Sequence, residues 1–249
     1  MQSYPGGTSL GHGWAGKDGI GKTVLSQALC HDRPVQNAFP DGVIWTTIGR
    51  NPTNLFLKNQ MRDIAKLVGG DLAYYDRLQA YSNEFHRTLK NKAALIVLDD
   101  VWNGRDIEPF IYPGEPLDAR YRLLITTTGQ EVSRYENGLL LDVLAPDQAL
   151  ELLARWGDTP AAELSPAASE VIEACGHLPL AISMIGALVR GGGFEPWKGD
   201  LRRLKEADLE MIRIQFPDYP DPNLLSAIQV SVDALQPECR VKYLGLAIF

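Results

Sequence analysis

Three glycines, a lysine and a threonine are spaced between residues 16 and 23 as a phosphate-binding loop requires. The segment GKDGIGKT fits the pattern G-x-x-x-x-G-K-[ST], with Gly16, Gly21, Lys22 and Thr23 at its fixed positions. Glycines let the backbone approach an anion closely, and the N–H groups of the loop and of the first helical turn point at it. Lys22 would neutralise β- and γ-phosphates, and the Thr23 hydroxyl would complete a Mg²⁺ shell. A glycine-rich turn that only caps a helix would use the same residues. A second feature is therefore needed to distinguish a phosphate-binding loop from such a turn.

That second feature is a pair of acids at the end of an apolar run. Leu95 to Leu98 precede Asp99 and Asp100 in the segment AALIVLDDVW. In a phosphate-loop protein, an aspartate at the end of a neighbouring buried strand reaches Mg²⁺ directly or through water. Asp99 is therefore the predicted metal carboxylate, and Asp100 could polarise a water for attack on a γ-phosphate. Two solvated acids capping a strand are the alternative, which the glycine loop disfavours.

Composition excludes several other classes of protein. The chain has 249 residues and a net charge of −7, which argues against broad binding of nucleic acid or anionic membranes. Cys30, Cys175 and Cys239 are far apart, and the four histidines lack metal-ligand spacing, so neither a disulfide framework nor a zinc site is expected. The start of the chain lacks a basic and apolar leader, and no apolar run reaches membrane-spanning length. We expect a cytoplasmic protein.

Strand and helix patterns alternate over the first 144 residues. Strands are predicted at 41–49, 93–102, 122–129 and 138–143, with a short glycine-rich strand in SLGHGWAG before the loop. Helices are predicted directly after the loop, where Val24, Leu25, Ala28 and Leu29 share one face, and then around 52–70 and 78–89. Alternation of this kind predicts an α/β fold, a parallel sheet with helices on both faces.

Beyond residue 145 only helical patterns follow. Helices are predicted in PDQALELLARWG, SPAASEVIEACG and LPLAISMIGALVRGGG, then a connector over 191–222 with a short helix at 201–211, and then a final helix pair. The predicted divisions are 1–144, 145–221 and 222–249. The chain stops on Ala247, Ile248 and Phe249, which predicts a fragment whose partner elements lie downstream.

Five segments occur in the order found in one known family. GIGKT, LIVLDDVW, RLLITTT, CGHLPLAI and VSVDALQPECRVKYLGLAIF resemble the motifs of NB-ARC domains, which are STAND-class P-loop ATPases of plant disease-resistance proteins, apoptotic protease-activating factors and bacterial signalling proteins. The resemblance runs from about residue 13 to the end. It implies a P-loop NTPase α/β subdomain, an all-α helical subdomain and the start of a winged helix. It also implies a switch that is closed with ADP and assembles with ATP.

The resemblance assigns roles to individual residues. Asp100 would be the catalytic acid, and Lys22 would be the second residue of the catalytic set. Thr23 and Asp99 would hold Mg²⁺. Pro179 would pack against the nucleotide, although a proline in the first turn of a helix needs no ligand to explain it. The implied nucleotide-binding set is Gly16, Gly19, Ile20, Gly21, Lys22, Thr23, Val24, Thr128 and Pro179. The implied partners are an adenine nucleotide, further copies of the full-length protein on activation, an upstream effector domain and a downstream sensor domain.

Departures from the family pattern bear on hydrolysis. Thr128 stands where the family has an arginine that senses the γ-phosphate, and Asp18 stands where it has a glycine. Arg122 and Arg134 are nearby arginines that could replace the missing one. Nucleotide binding with slow or weak ATP hydrolysis is therefore expected. The alternatives are a non-hydrolysing nucleotide-binding scaffold and a small-molecule or nucleotide kinase, which would need an acceptor pocket and lid arginines.

Overall fold

The computed structural model describes most of the chain up to residue 190. The described residues are 11–72, 75–112, 119–128, 139–164 and 167–190, with six isolated positions between 228 and 239; for residues 11, 12 and 189 only the backbone is described. Two compact units divide them. The first holds the described residues up to Gly16 and from Lys22 to Leu141, and the second holds Lys17–Gly21 and the described residues from Asp142 onwards. The predicted divisions 1–144, 145–221 and 222–249 stay a prediction.

The first unit is built on a five-stranded sheet in which every pairing is parallel. Its strands are β1 (Gly11–Ala15), β2 (Gly42–Gly49), β3 (Ala94–Val101), β4 (Arg122–Thr127) and β5 (Leu139–Leu140), in the order β2-β3-β4-β1-β5. The helices are α1 (Lys22–Cys30), α2 (Arg33–Ala38), α3 (Asn54–Leu67) and α4 (Leu78–Leu89). The predicted parallel α/β architecture is confirmed. The strand predicted at 138–143 is wrong in length, because only two of its residues pair with β1.

One face of the sheet carries the main core of this unit. Helix α3 begins after Thr53, whose side chain accepts a hydrogen bond from the Phe56 N–H at 3.2 Å, and it buries the face that its periodicity predicts. Met61 and Phe85 of α3 and α4 have no exposed surface and pack with the strand residues Ile96 and Leu98. Burying a side chain of this size stabilises a fold by about 1.5–3 kcal/mol. This core fixes where β3 ends, and therefore where its acids lie.

The other face is covered more thinly, by α1 and α2. Leu95, Val97 and Leu124 form its buried centre, against which Leu29 and Phe39 pack. The apolar face predicted for α1 is only partly used: Val24 and Leu25 are 69% and 44% exposed, and the buried residue of the helix is Ser26. Periodicity shows which side chains share a face, but it does not show which face the following strands cover.

A polar cluster lies inside the main core. The His86 Nδ1 atom is 2.7 Å from the Tyr121 hydroxyl, and Nε2 is 3.1 Å from the Ser82 hydroxyl, which donates to the Pro109 carbonyl at 2.6 Å. Burial lowers the pKa of His86 to about 4, against which the Pro109 carbonyl acts only in part. Burial also raises the pKa of Tyr121. His86 and Tyr121 are thus neutral around pH 7, and their polar atoms are paired.

The second unit contains three described α-helices, α5 (Pro146–Gly157), α6 (Ala167–Ala174) and α7 (Pro179–Val189). They confirm the helical segments predicted from 145 to 190. Helices α5 and α7 approach closely at Gly186, where an added Cβ would lie 2.7 Å from the Trp156 Cβ and 3.3 Å from the Leu153 carbonyl oxygen. The helix predicted at 201–211 and the winged-helix start predicted at 222–249 lie outside the described residues. No helix among the described residues is long and apolar enough to span a membrane.

Candidate functional site

Within the first unit, the start of α1 meets the end of β3. Lys22 is the first residue of α1, and its Nζ donates to the Gly16 carbonyl oxygen at 2.7 Å. The Thr23 hydroxyl donates to Oδ1 of Asp99 at 3.0 Å, across a separation of 76 residues. The carboxyl ends of parallel strands lie at one edge of a sheet, which is why residues so distant in sequence meet here. The two features found separately in the sequence therefore belong to one site.

The two acids of β3 have different environments. Asp99 is 5% exposed, whereas Asp100 is exposed and has a left-handed backbone with φ 57°. The register explains this, because Leu98 pairs with Ile125 and Val101 with Thr127, so β3 has one residue more than β4 over this stretch. Such a bulge turns one side chain out of the alternating pattern of the strand. It leaves Asp99 buried beside Thr23 and directs Asp100 to the surface.

A third residue, Thr126 of β4, joins the acids and was missed by the sequence analysis. Its hydroxyl donates to Oδ1 of Asp99 at 2.6 Å and accepts the Asp100 backbone N–H at 2.9 Å. The side chain is 1% exposed. A hydroxyl near the carboxyl end of the strand next to β3 could have marked it, but only if the strand order had been known.

The donor set at this edge fits a Mg²⁺ ion. The hydrogen of the Thr23 hydroxyl is used by Asp99, so the lone pairs of that oxygen stay available, and the Asp99 carboxylate supplies a second hard donor. Mg²⁺ prefers oxygen ligands and usually keeps waters and phosphate oxygens in its shell. Within the described part of the chain, no group of three or more His, Cys, Asp or Glu could hold a metal alone. Thr23 and Asp99 would supply two ligands of such a cation, and phosphate oxygens and water would supply the others.

The loop residues Lys17–Gly21 belong to the second unit. Gly19 and Gly21 have φ of 77° and 98°, conformations that side chains with a Cβ rarely adopt, and Ile20 is buried. At Gly21 an added Cβ would meet nothing within 4 Å, so glycine is needed there for its conformation and not for space. The Gly19 carbonyl accepts the Leu180 N–H at 3.1 Å. The open space at Gly21 is what a backbone that approaches a ligand requires.

The remaining predicted site residues are Val24, Thr128 and Pro179. Val24 is exposed on α1, and Thr128 is half-buried directly after β4. Pro179 is the first residue of α7, a position that proline favours for its backbone alone. Arg122 cannot replace the missing arginine, because its guanidinium donates at 2.8 Å to the Ala119 and Tyr121 carbonyls at the opposite, amino end of β4. Arg134 lies outside the described residues.

Comparisons with known proteins agree with this geometry. A family model described as NB-ARC domain matches residues 12–160. Human apoptotic protease-activating factor 1 is 27% identical over 261 residues, which cover all of this chain and 20% of that protein. Disease resistance RPP13-like protein 4 of Arabidopsis thaliana is 25% identical over 251 residues, which cover 95% of this chain and 28% of that protein.

Solved structures give a further likeness. A STAND protein with a tetratricopeptide repeat sensor from Pyrococcus horikoshii superimposes with a TM-score of 0.45 and 18% identity, covering 90% of this chain and 37% of that one. The chain spans between a fifth and a third of the length of the curated relatives named above. The family match covers more than half of the chain and takes in the glycine loop, the β3 acids and Thr126. This chain belongs to the NB-ARC domain family.

Proposed function

We propose that this chain is the ADP- and ATP-binding switch module of a larger signalling or defence protein. The observation that carries the proposal is the bonded set formed by Thr23, Asp99 and Thr126 next to Lys22 at the start of α1. A helix N-terminus preceded by glycines in left-handed conformations binds phosphate through N–H groups. The relatives support the proposal, because their names are those of an apoptotic protease-activating factor and a disease resistance protein.

Each residue has a separate part in this proposal. Lys22 contacts phosphate oxygens, and the loop from Gly16 to Gly21 surrounds them with backbone N–H groups. Thr23 and Asp99 hold Mg²⁺, which neutralises charge on the phosphates when it is bound. Asp100, exposed beside this set, is the acid that orients a water. Ile20, Val24 and Pro179 complete the nucleotide contacts that the family pattern assigns.

We expect hydrolysis to be slow or weak. Thr128 follows β4 at the position of the family arginine, and its short neutral side chain has neither the charge nor the reach of an arginine toward a γ-phosphate. Asp18 adds a carboxylate to the loop. Thr128 in place of arginine lowers the gain from ATP relative to ADP, and the charge of Asp18 would oppose the phosphates of either nucleotide. A scaffold that binds nucleotide without hydrolysing it is therefore the second candidate function.

The larger protein would supply the domains that respond to the bound nucleotide. The proposed partners are an upstream effector domain, a downstream sensor domain and further copies of the full-length protein that assemble on activation, all in the cytoplasm. A switch moves only by the difference in ligand affinity between its two states, so these domains would read the nucleotide bound here. Direct contact with nucleic acid or membrane forms no part of the proposal.

Nucleotide released from the purified protein tests the proposal directly. We expect mass spectrometry of the denatured protein to find ADP in a substantial fraction of molecules from the parent and none from Lys22→Ala. Slow release of phosphate from ATP would favour the switch over the non-hydrolysing scaffold. Rapid transfer of phosphate to an added small-molecule acceptor would favour a kinase. A protein that neither retains nucleotide after purification nor binds added nucleotide would refute the proposal.

A further inference from the structure

The hydroxyl of Thr126 is bonded to both β3 acids. It donates to Oδ1 of Asp99 at 2.6 Å and accepts the Asp100 N–H at 2.9 Å. A hydroxyl has one hydrogen and two lone pairs, so these two bonds fix its direction. The side chain is almost fully buried, which excludes water as a competing partner.

This arrangement restrains both acids. Oδ1 of Asp99 accepts the hydroxyl hydrogens of Thr23 and Thr126, and neither bond uses Oδ2. The backbone of Asp100 is in the left-handed region, which an aspartate keeps only where its surroundings hold it. The bond from its N–H to Thr126 is one such restraint, at the bulge that separates the two acids.

We infer that Thr126 is a positioning residue of the nucleotide site: it orients the Asp99 carboxylate for Mg²⁺ and fixes the backbone that presents Asp100. The inference rests on the proposed function and adds to it a residue on β4 that is bonded to both acids. Its effect on ligand binding passes through Asp99, so it concerns the metal-dependent part of binding. A threonine that only fills space and forms hydrogen bonds in the core would affect stability and leave the metal-dependent part of binding unchanged.

Thr126→Val tests this directly, because valine keeps the shape and removes the hydroxyl. The affinity for a fluorescent ADP analogue is measured with Mg²⁺ and with EDTA, and the unfolding midpoint is measured alongside. We expect the gain in affinity produced by Mg²⁺ to fall about tenfold in Thr126→Val, since a bond to a charged group is lost, with little change in EDTA. Thr126→Ser, which keeps the hydroxyl, should retain the parent's gain.

A matched control comes from the same sheet. Thr46 of β2 is 6% exposed, and its hydroxyl donates to Oε1 of Gln60, so Thr46→Val also removes one buried side-chain hydrogen bond. We expect Thr46→Val to lower the unfolding midpoint without changing the ratio of affinities with and without Mg²⁺. If Thr126→Val does not fold, Thr126→Ala removes the same hydroxyl without placing a methyl group against Asp99.

The outcomes separate the two proposals. A parent that binds ADP, together with a Thr126→Val variant whose Mg²⁺ gain equals the parent's, would overturn the inference and leave the proposed function standing. The inference would also fail if Thr126→Ser lost as much of the Mg²⁺ gain as Thr126→Val. A parent that binds no ADP with or without Mg²⁺ would instead refute the proposed function itself.

Discussion

Lys22 and Thr23 are adjacent in sequence but have different partners in the site. Lys22 donates to the loop carbonyl of Gly16, whereas Thr23 donates to a carboxylate on β3. The lysine therefore holds the Gly16 end of the loop, and phosphate oxygens would compete for the same ammonium group. The Thr23 oxygen could bind a cation while its hydroxyl keeps the hydrogen bond to Asp99.

The first prediction concerns that ammonium group. We expect Lys22→Ala to weaken ADP binding by at least a hundredfold with little change in the far-ultraviolet circular dichroism spectrum. A unit charge on phosphate contributes on the order of several kcal/mol in a partly desolvated site. Fluorescence titration measures the affinity. Lys66→Ala, which removes an exposed lysine of α3, is the control and should bind like the parent; equal binding by both variants would contradict the role of Lys22.

The second prediction concerns Thr128. An arginine at this position would contact the γ-phosphate and nothing in ADP, so it would add only to ATP binding. Because a charge-assisted hydrogen bond is worth about 1.5–3 kcal/mol, Thr128→Arg should shift the preference toward ATP by roughly tenfold or more. Competition of each nucleotide against a fluorescent analogue, with Mg²⁺ present, measures the ratio. Thr128→Gln adds an uncharged polar side chain and should stay near the parent; an unchanged ratio in the arginine variant would mean that Thr128 does not face the phosphate.

At the scale of elements, local pattern predicts most of what the structure contains. Strand β2 and helix α3 could be predicted because β-branched and 3.6-residue patterns are strong there and are bounded by Gly, Thr and Pro. Helix α1 was predicted, but its exposed Val24 and Leu25 were not, because exposure depends on which strands come to lie beneath it. Thr126 was not predicted for the same reason. Its role depends on the neighbouring strand and on the bulge, and neither is a local property of the sequence.

Helix packing in the second unit gives the third prediction. At Gly186 an added Cβ meets the Trp156 Cβ and the backbone of α5, which cannot move aside as a flexible side chain would. We expect Gly186→Ala to destabilise this unit by about 1–3 kcal/mol, the usual cost of overpacking. Urea denaturation followed by circular dichroism measures the change. Ala187→Ser, at an exposed position of α7, should unfold like the parent, and an equally stable Gly186→Ala would show that α5 and α7 are farther apart.

For the molecule as a whole, pH links the buried core of the first unit to stability. The pKa of His86 is about 4 in the folded chain, below the ordinary value of 6.5, because burial favours the neutral ring. Between these two values the unfolded chain binds more protons than the folded one, so folding weakens as pH falls. The contribution of His86 is fully present above pH 6.5 and is lost progressively as pH falls to about 4.

The fourth prediction is therefore a pH profile. We expect the parent to lose about 3 kcal/mol of unfolding free energy through His86 between pH 6.5 and pH 4, from 1.36 kcal/mol for each unit of pKa difference. Urea titrations at half-unit steps of pH measure it. His86→Gln should flatten this part of the profile, whereas His31→Gln, which removes an exposed histidine, should keep it. The same slope in the parent and His86→Gln would assign the pH dependence to other groups.

The bonds around His86 also fix where its proton lies. The Ser82 hydrogen is used by the Pro109 carbonyl, so the Ser82 oxygen can only accept from the imidazole, and Nε2 must carry the proton. Nδ1 is then unprotonated and accepts the hydrogen of the Tyr121 hydroxyl. The ring is locked as a single tautomer with an N–H shielded from solvent. Such a proton exchanges slowly and resonates apart from the amides in an NMR spectrum, so the native core of this module carries its own spectroscopic label.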